Sequence, residues 1–109
     1  MADTLGSFEQ AVMLAIVRLG EEAYGRAILG DVSDRLGRDV SVGAVHATLE
    51  RLESKGLLRS RIGEATAVRG GRAKRYFRLE PEGVDALNEA RAVMDGIWRG
   101  ITMPLEASQ

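Results

Sequence analysis

The sequence predicts a single, mostly helical α+β domain in which three helices precede two short strands and a fourth helix follows them. Three observations support this prediction. A chain of 109 residues suits one domain with one modest core. Apolar residues recur at helical spacing in four segments and partly alternate in two short ones. With 45% hydrophobic and 28% charged residues, the composition is typical of a folded globular domain.

The first helix is predicted over about residues 8–19. Ser7 and Gln10 have the spacing of a capping box, which marks a helix start. Residues 11–17 are apolar on every side, whereas a surface helix has one apolar stripe and a polar back. We therefore expect this helix to be covered twice, by the core of its own subunit and by a partner subunit.

The second helix is indicated by apolar residues at helical spacing, with Gly37 as its stop. These residues are Tyr24, Ala27, Ile28, Val32 and Leu36. The third helix is predicted from a cap at Ser41 to near residues 55–56. Its buried stripe is predicted to be Val42, Val45, Leu49 and Leu52.

Residues 57–62 and 74–79 read as two strands of a hairpin joined by a long loop. The formal net charge of the whole chain is only −1, but residues 57–80 contain seven basic and two acidic side chains, a local charge of +5. The segments on either side each sum to −3. The hairpin is therefore predicted to be a focused basic element.

The fourth helix is predicted to start at Pro81, a residue suited to the first helical position, and to end at Pro104. Its apolar stripe extends from Val84 to Ile101. We divide the chain into a unit of three helices and the hairpin (residues 1–80), a C-terminal helix of the same compact unit (81–103) and a tail (104–109).

Helices two and three have the layout of a helix-turn-helix, and the basic hairpin behind them would be a wing. The major groove of DNA admits a helix only where short side chains let its backbone approach the base edges. The outer face of the third helix is small near its start, which favours this role. The candidate DNA-binding residues are Ser41, Gly43, Ala44, His46, Ala47, Thr48 and Arg51 on the helix, and Arg69, Arg72 and Lys74 on the wing.

Four strings in the sequence resemble the pattern of the PadR family of transcriptional regulators. They are residues 5–10 (LGSFEQ), 23–25 (AYG), 41–57 (SVGAVHATLERLESKGL) and 70–77 (GGRAKRYF). They occur in the family's order, and their combination is far more specific than any one of them. Two positions depart from the pattern: His46 stands where the family commonly has Tyr, and Glu80 where it often has Thr.

This resemblance implies a winged helix-turn-helix that binds double-stranded DNA at palindromic operators, usually as a repressor. It also implies a homodimer formed through the last helix and the first. The candidate interface residues are Val12 and Ile16 on the first helix and Leu87, Met94, Trp98 and Ile101 on the last.

Several alternatives stay open at this stage. His46 could contact DNA or pack at the rim of the core. Met94 and Trp98 could line a pocket for a small aromatic effector, although a role in the dimer core is the simpler reading of large apolar residues at helical spacing. The wing arginines could simply solvate a loop, but their place behind a helix-turn-helix favours contact with phosphate.

The sequence argues against other functional classes. It contains no cysteine and one histidine, and no cofactor fingerprint or nucleophile–base pair, so we expect neither an enzyme nor a metal or cofactor site. A protein-interaction adaptor would be expected to have an acidic or apolar wing. The longest apolar stretch is too short to span a membrane and the first residues do not resemble a signal peptide, which favours a cytoplasmic location.

Overall fold

The computed structural model describes residues 5–64 and 73–104, and its elements follow the predicted order. Helices α1 (Ser7–Leu19), α2 (Gly25–Leu36) and α3 (Val42–Ser54) precede strands β1 (Leu58–Ile62) and β2 (Arg75–Leu79), and α4 (Pro81–Trp98) follows them. A single 3₁₀ turn, Gly20–Glu22, links α1 to α2. The predicted mostly helical α+β class and the order of elements are confirmed.

The start of α1 differs from the prediction. Gly6, not Ser7, is the residue that precedes the helix, and the Glu9 carboxylate accepts a hydrogen bond of 2.9 Å from its backbone N–H. Gln10 instead donates from its side chain to the carbonyl of Leu5. The predicted Ser7–Gln10 capping box was therefore wrong, because the helix begins one residue earlier and Glu9 occupies the third helical position.

The two strands form an antiparallel pair in which Ser60 is opposite Phe77. Phe77 lies on the covered face with Leu58, whereas Tyr76 and Arg61 lie on the other face. A bridge between Tyr24 and Tyr76, with Phe77 donating its N–H to the Ala23 carbonyl, adds the segment before α2 to the edge of this sheet. The wing is thus attached directly to the start of the helix-turn-helix.

The core is centred on α1, which packs against the other three helices and β2. Met13, Ile28, Leu49, Leu52 and Leu58 are fully or almost fully buried. Burial of each such side chain contributes about 1.5–3 kcal/mol relative to exposure. This one cluster therefore fixes how α2, α3 and the wing are oriented.

The end of α4 lies earlier than predicted. The helix ends at Trp98 and Gly100 has a φ of +81°, so Pro104 does not terminate it. The start of α4 passes so close to the turn before β1 that a Cβ on Gly83 would lie 2.2 Å from the Leu57 carbonyl oxygen. Only glycine fits there.

We expect Gly83→Ala to lower the free energy of unfolding by about 1–3 kcal/mol, because α4 would have to move away from Leu57. Gly30→Ala is the matched control: a Cβ at this α2 position meets nothing within 4 Å, so the change should raise stability by up to about 1 kcal/mol. Urea denaturation followed by circular dichroism measures both. Equal stability of the two variants would contradict the close packing at Gly83.

Candidate nucleic-acid interface

Helix α3 is capped as predicted. The Ser41 hydroxyl accepts a hydrogen bond of 3.0 Å from the Ala44 backbone N–H. Gly43, Ala44 and Ala47 are all exposed, so the first two turns present backbone and methyl groups to solvent. A partner surface could approach the axis of α3 closely here, with no long side chain of these three residues in between.

The buried stripe of α3 is rotated relative to the prediction. Thr48 is 3% exposed and lies in the core beside Val45 and Leu49, whereas Val42 is 69% exposed. The prediction that Thr48 contacts DNA was therefore wrong, and so was the prediction that Val42 belongs to the core. The sequence analysis missed Val42 as a surface residue because both assignments are compatible with helical spacing.

His46 lies at one side of the small face, and Arg51 lies on the same face one turn beyond Ala47. The His46 side chain is 68% exposed and its Nε2 lies 4.0 Å from Glu50 Oε1. This exposure does not support the alternative in which His46 packs at the rim of the core. Arg51 is half-exposed and already has partners: its Nε lies 3.4 Å from Glu9 Oε2 and its Nη2 lies 3.4 Å from Thr48 Oγ1. Arg51 therefore also connects α3 to the start of α1.

Two carboxylates on the helices, those of Glu9 and Asp31, have lowered pKa values. The hydrogen bond from Gly6, helped by Lys55 and Arg51 and opposed by burial, lowers the pKa of Glu9. The hydrogen bond from Arg18, again opposed by burial, lowers the pKa of Asp31. Arg18 lies on α1 and Asp31 on α2, so these ionised groups link α1 to both helices of the helix-turn-helix.

Three cations of the wing lie near aromatic rings, and one of them, Arg75, lies 5.2 Å from the ring centre of Phe77. The Lys74 ammonium lies 4.1 Å from the ring centre of Tyr24, and the Arg61 guanidinium lies 4.8 Å from that of Tyr76. The two rings meet edge to face at 5.8 Å. Lys74 is exposed at the loop end of the hairpin, where its carbonyl accepts the Gly63 N–H, and its ammonium lies over the ring of Tyr24, just before α2. Arg69 and Arg72 lie outside the described residues.

The basic charge of residues 57–80 is partly neutralised by neighbouring acids. Arg59 Nε lies 3.7 Å from Glu80 Oε1, and Arg75 pairs with Glu50 and Glu53 of α3. The local +5 therefore overstates the charge that this segment presents. Glu80 is already included in the count of +5, so the overstatement comes from Glu50 and Glu53. These two carboxylates lie outside residues 57–80, and the sequence could not reveal that they pair with Arg75.

The candidate residues of the dimer interface divide into a buried group on α1 and a more exposed group on α4. Val12 is fully buried and Ile16 is 3% exposed within a single subunit, so neither can face a partner and this part of the prediction was wrong. The exposed apolar side chains of α1 are Leu14 and Val17. Leu87 is partly buried, whereas Met94, Trp98 and Ile101 are at least half-exposed.

A family model described as the transcriptional regulator PadR-like family matches residues 13–89. The chain belongs to this family. It is therefore a DNA-binding transcriptional regulator of the PadR family rather than an enzyme, as the sequence analysis expected.

Relatives of known sequence and structure agree with this assignment. The chain is 38% identical over 80 residues to the transcriptional regulator Rv3488 of Mycobacterium tuberculosis, covering 73% of this chain and 70% of that protein. It is similar to a PadR family regulator of Eggerthella lenta (30% identity, TM-score 0.64, covering 82% of this chain and 75% of the other). A PadR-like factor of Bacteroides fragilis has a TM-score of 0.67 at 27% identity, covering 82% and 81%. The PadR winged-helix fold is confirmed.

No described helix of this PadR-family chain has the length and apolar character needed to cross a membrane.

Because the folded pKa values of Glu9 and Asp31 are depressed, their contribution to stability is complete above the ordinary carboxyl pKa of about 4 and is lost as pH falls through the folded values. Stability should therefore decline more steeply below pH 4 in the wild type than in the double variant Glu9→Gln/Asp31→Asn. Urea denaturation at pH 7 and pH 3, at one protein concentration, measures this difference. Asp34→Asn, at an exposed position of α2, controls for loss of a carboxylate and should keep the wild-type pH dependence.

Proposed function

We propose that this protein is a cytoplasmic repressor that binds a palindromic operator as a homodimer, with α3 in the major groove and the wing on phosphate or in the adjacent minor groove. The observation that carries the proposal is the exposed, small-residue face at the capped start of α3. Gly43, Ala44 and Ala47 leave room for base edges, and alanine methyl groups suit contact with thymine methyls. The Ser41 end of the helix suits a phosphate.

His46, at one side of this face, and Arg51, one turn further along it, would contact base edges or backbone. Lys74 and the wing arginines Arg69 and Arg72 would contact phosphate. Arg51 would keep its ion pair with Glu9 or exchange it for DNA. Thr48 would not contact DNA because it is buried, whereas the exposed Val42 would be an apolar contact for a thymine methyl.

The dimer is supported by the uncovered half of α4. Ala86, Leu87 and Ala90 in the first half of its apolar stripe pack on the subunit's own core. In the second half the stripe continues as exposed side chains: Val93, Met94, Ile97 and Trp98, followed by Ile101. An apolar surface of this kind is typical of an association site. A twofold dimer would present two copies of α3, which matches a palindromic operator.

The proposals of repression and of effector binding are based on the resemblance to the PadR family. An operator that overlaps a promoter would let the bound dimer exclude polymerase, and run-off transcription with and without the protein tests this. Met94 and Trp98 would line any effector pocket formed at the dimer interface, and titration of the dimer with simple aromatic carboxylates, followed by Trp98 fluorescence, tests that role.

Ala47→Glu should abolish specific DNA binding, because it places a long anionic side chain where the helix must approach the bases. The probe is the duplex that the wild-type protein selects from a random-sequence library, and affinity is measured by fluorescence anisotropy. Ser54→Glu adds the same charge on the same exposed side, about 10 Å further along the helix, and should weaken binding much less. Equal affinity of both variants and the wild type would reject α3 as the reading element.

Met94→Asp/Trp98→Asp should convert the dimer to a folded monomer, because two charges would be buried in the interface. Ala92→Asp is the control, since this exposed residue lies on the opposite side of α4. Multi-angle light scattering measures the mass and circular dichroism the fold. A dimer that persists in the double variant would mean that α4 is not the interface.

A further inference from the structure

One arginine of the wing is held almost entirely by other protein groups. Arg75, on β2, donates from Nε to Ser60 Oγ at 2.9 Å and from Nη1 to Glu50 Oε1 at 2.9 Å. Its Nη2 donates to Glu53 Oε1. All three nitrogens of the guanidinium are therefore engaged.

The partners of Arg75 come from two different elements. Ser60 lies on β1, and Glu50 and Glu53 lie one turn apart on α3. Ser60 also donates to Glu53 Oε2 at 2.8 Å, which closes a ring of hydrogen bonds between strand, helix and arginine. The guanidinium carbon lies 5.2 Å from the ring centre of buried Phe77, which supports the group from the core side.

This geometry sets Arg75 apart from its neighbour on the same strand. Arg78 is exposed, and no ion pair to it occurs among the residues that the structure describes. The Arg75 side chain is only 37% exposed and faces two carboxylates. A planar guanidinium with several fixed donors suits a joint of this kind, because each added hydrogen bond restricts its rotation further.

We propose that Arg75 is a positioning residue: it does not bind DNA but fixes the angle between the wing and α3 through Glu50, Glu53 and Ser60. The inference rests on the proposed function of α3 and the wing. Its consequence is that the carboxylates of Glu50 and Glu53, although they lie beside a DNA-facing surface, support DNA binding by holding the wing in place.

The effect of Glu53→Gln on DNA affinity has opposite signs in the two possible roles of Arg75. If Arg75 contacted phosphate, removal of an adjacent carboxylate would free its charge and tighten binding. If Arg75 positions the wing, the same change loosens the joint and weakens binding, by about tenfold for a coupled network of this size. Glu89→Gln, at an exposed position of α4, controls for the loss of one negative charge.

The DNA measurement uses the duplex selected by the wild-type protein from a random-sequence library. Weaker binding by Glu53→Gln and by Arg75→Met, with an intermediate loss for Arg75→Lys, supports the proposal. Tighter or unchanged binding by Glu53→Gln overturns it. If the wild-type protein selects no duplex, the proposed function fails, and a second measurement still decides the role of Arg75.

That second measurement is the distance between α3 and the wing without DNA. The chain has no cysteine, so Ala44→Cys and Ala73→Cys, both at exposed positions, can carry spin labels, and dilution with unlabelled protein isolates the distance within one chain. Pulsed dipolar spectroscopy should give a narrow distribution for the parent and a broader or shifted one for Arg75→Met and Glu53→Gln. Arg78→Met should leave it unchanged. A distribution that is the same in all four proteins overturns the proposal.

Discussion

The structure depends first on the burial of α1 within its own subunit. Val12 and Met13 are completely buried and Ile16 nearly so, and they contribute to a core that α2, α3, β2 and α4 share. Within residues 5–64 and 73–104 no second hydrophobic cluster could compensate for the loss of this one. The ionised Glu9 and Asp31 then join α3 and α2 to α1 near its two ends.

Local signals in the sequence were sufficient for the order of the elements and for several of their boundaries, but not for the start of α1 or the end of α4. Ser41 predicted its cap and Gly37 its stop, because each depends only on the chemistry of a few adjacent residues. The choice of which residues face inward was less secure. Val42 and Thr48 exchanged their predicted places because a helical stripe is wide, and the neighbours that cover it come from distant parts of the chain. The same limit explains Val12 and Ile16: periodicity shows that α1 is covered, but not by which surface.

The sequence was least informative about which basic side chains are free of protein partners. A count along residues 57–80 treats all basic side chains as equal, whereas the structure separates them by their partners. Arg75 forms ion pairs with α3, and Arg59 lies close to Glu80. Lys74 and Arg61 lie over aromatic rings. Arg75, whose three guanidinium nitrogens all donate to protein groups, would gain little from phosphate and would lose the bonds it has. The surface available to DNA is therefore narrower than the basic segment, and better defined.

Leu57 connects the elements whose relative positions matter for recognition. Its N–H donates to the Leu52 carbonyl and ends α3, with Gly56 at a φ of +80°, while its carbonyl accepts the N–H of Glu80 just before α4. Gly83 packs against the same carbonyl. Leu57 thus ends the helix that we propose faces DNA, precedes the wing and holds the start of the helix that carries the proposed dimer face. In the proposed dimer the spacing between two copies of α3 would be set through α4, so the backbone at Leu57 would transmit that spacing. Any change in the angle of α4 at this point would then move both copies of α3 relative to the operator.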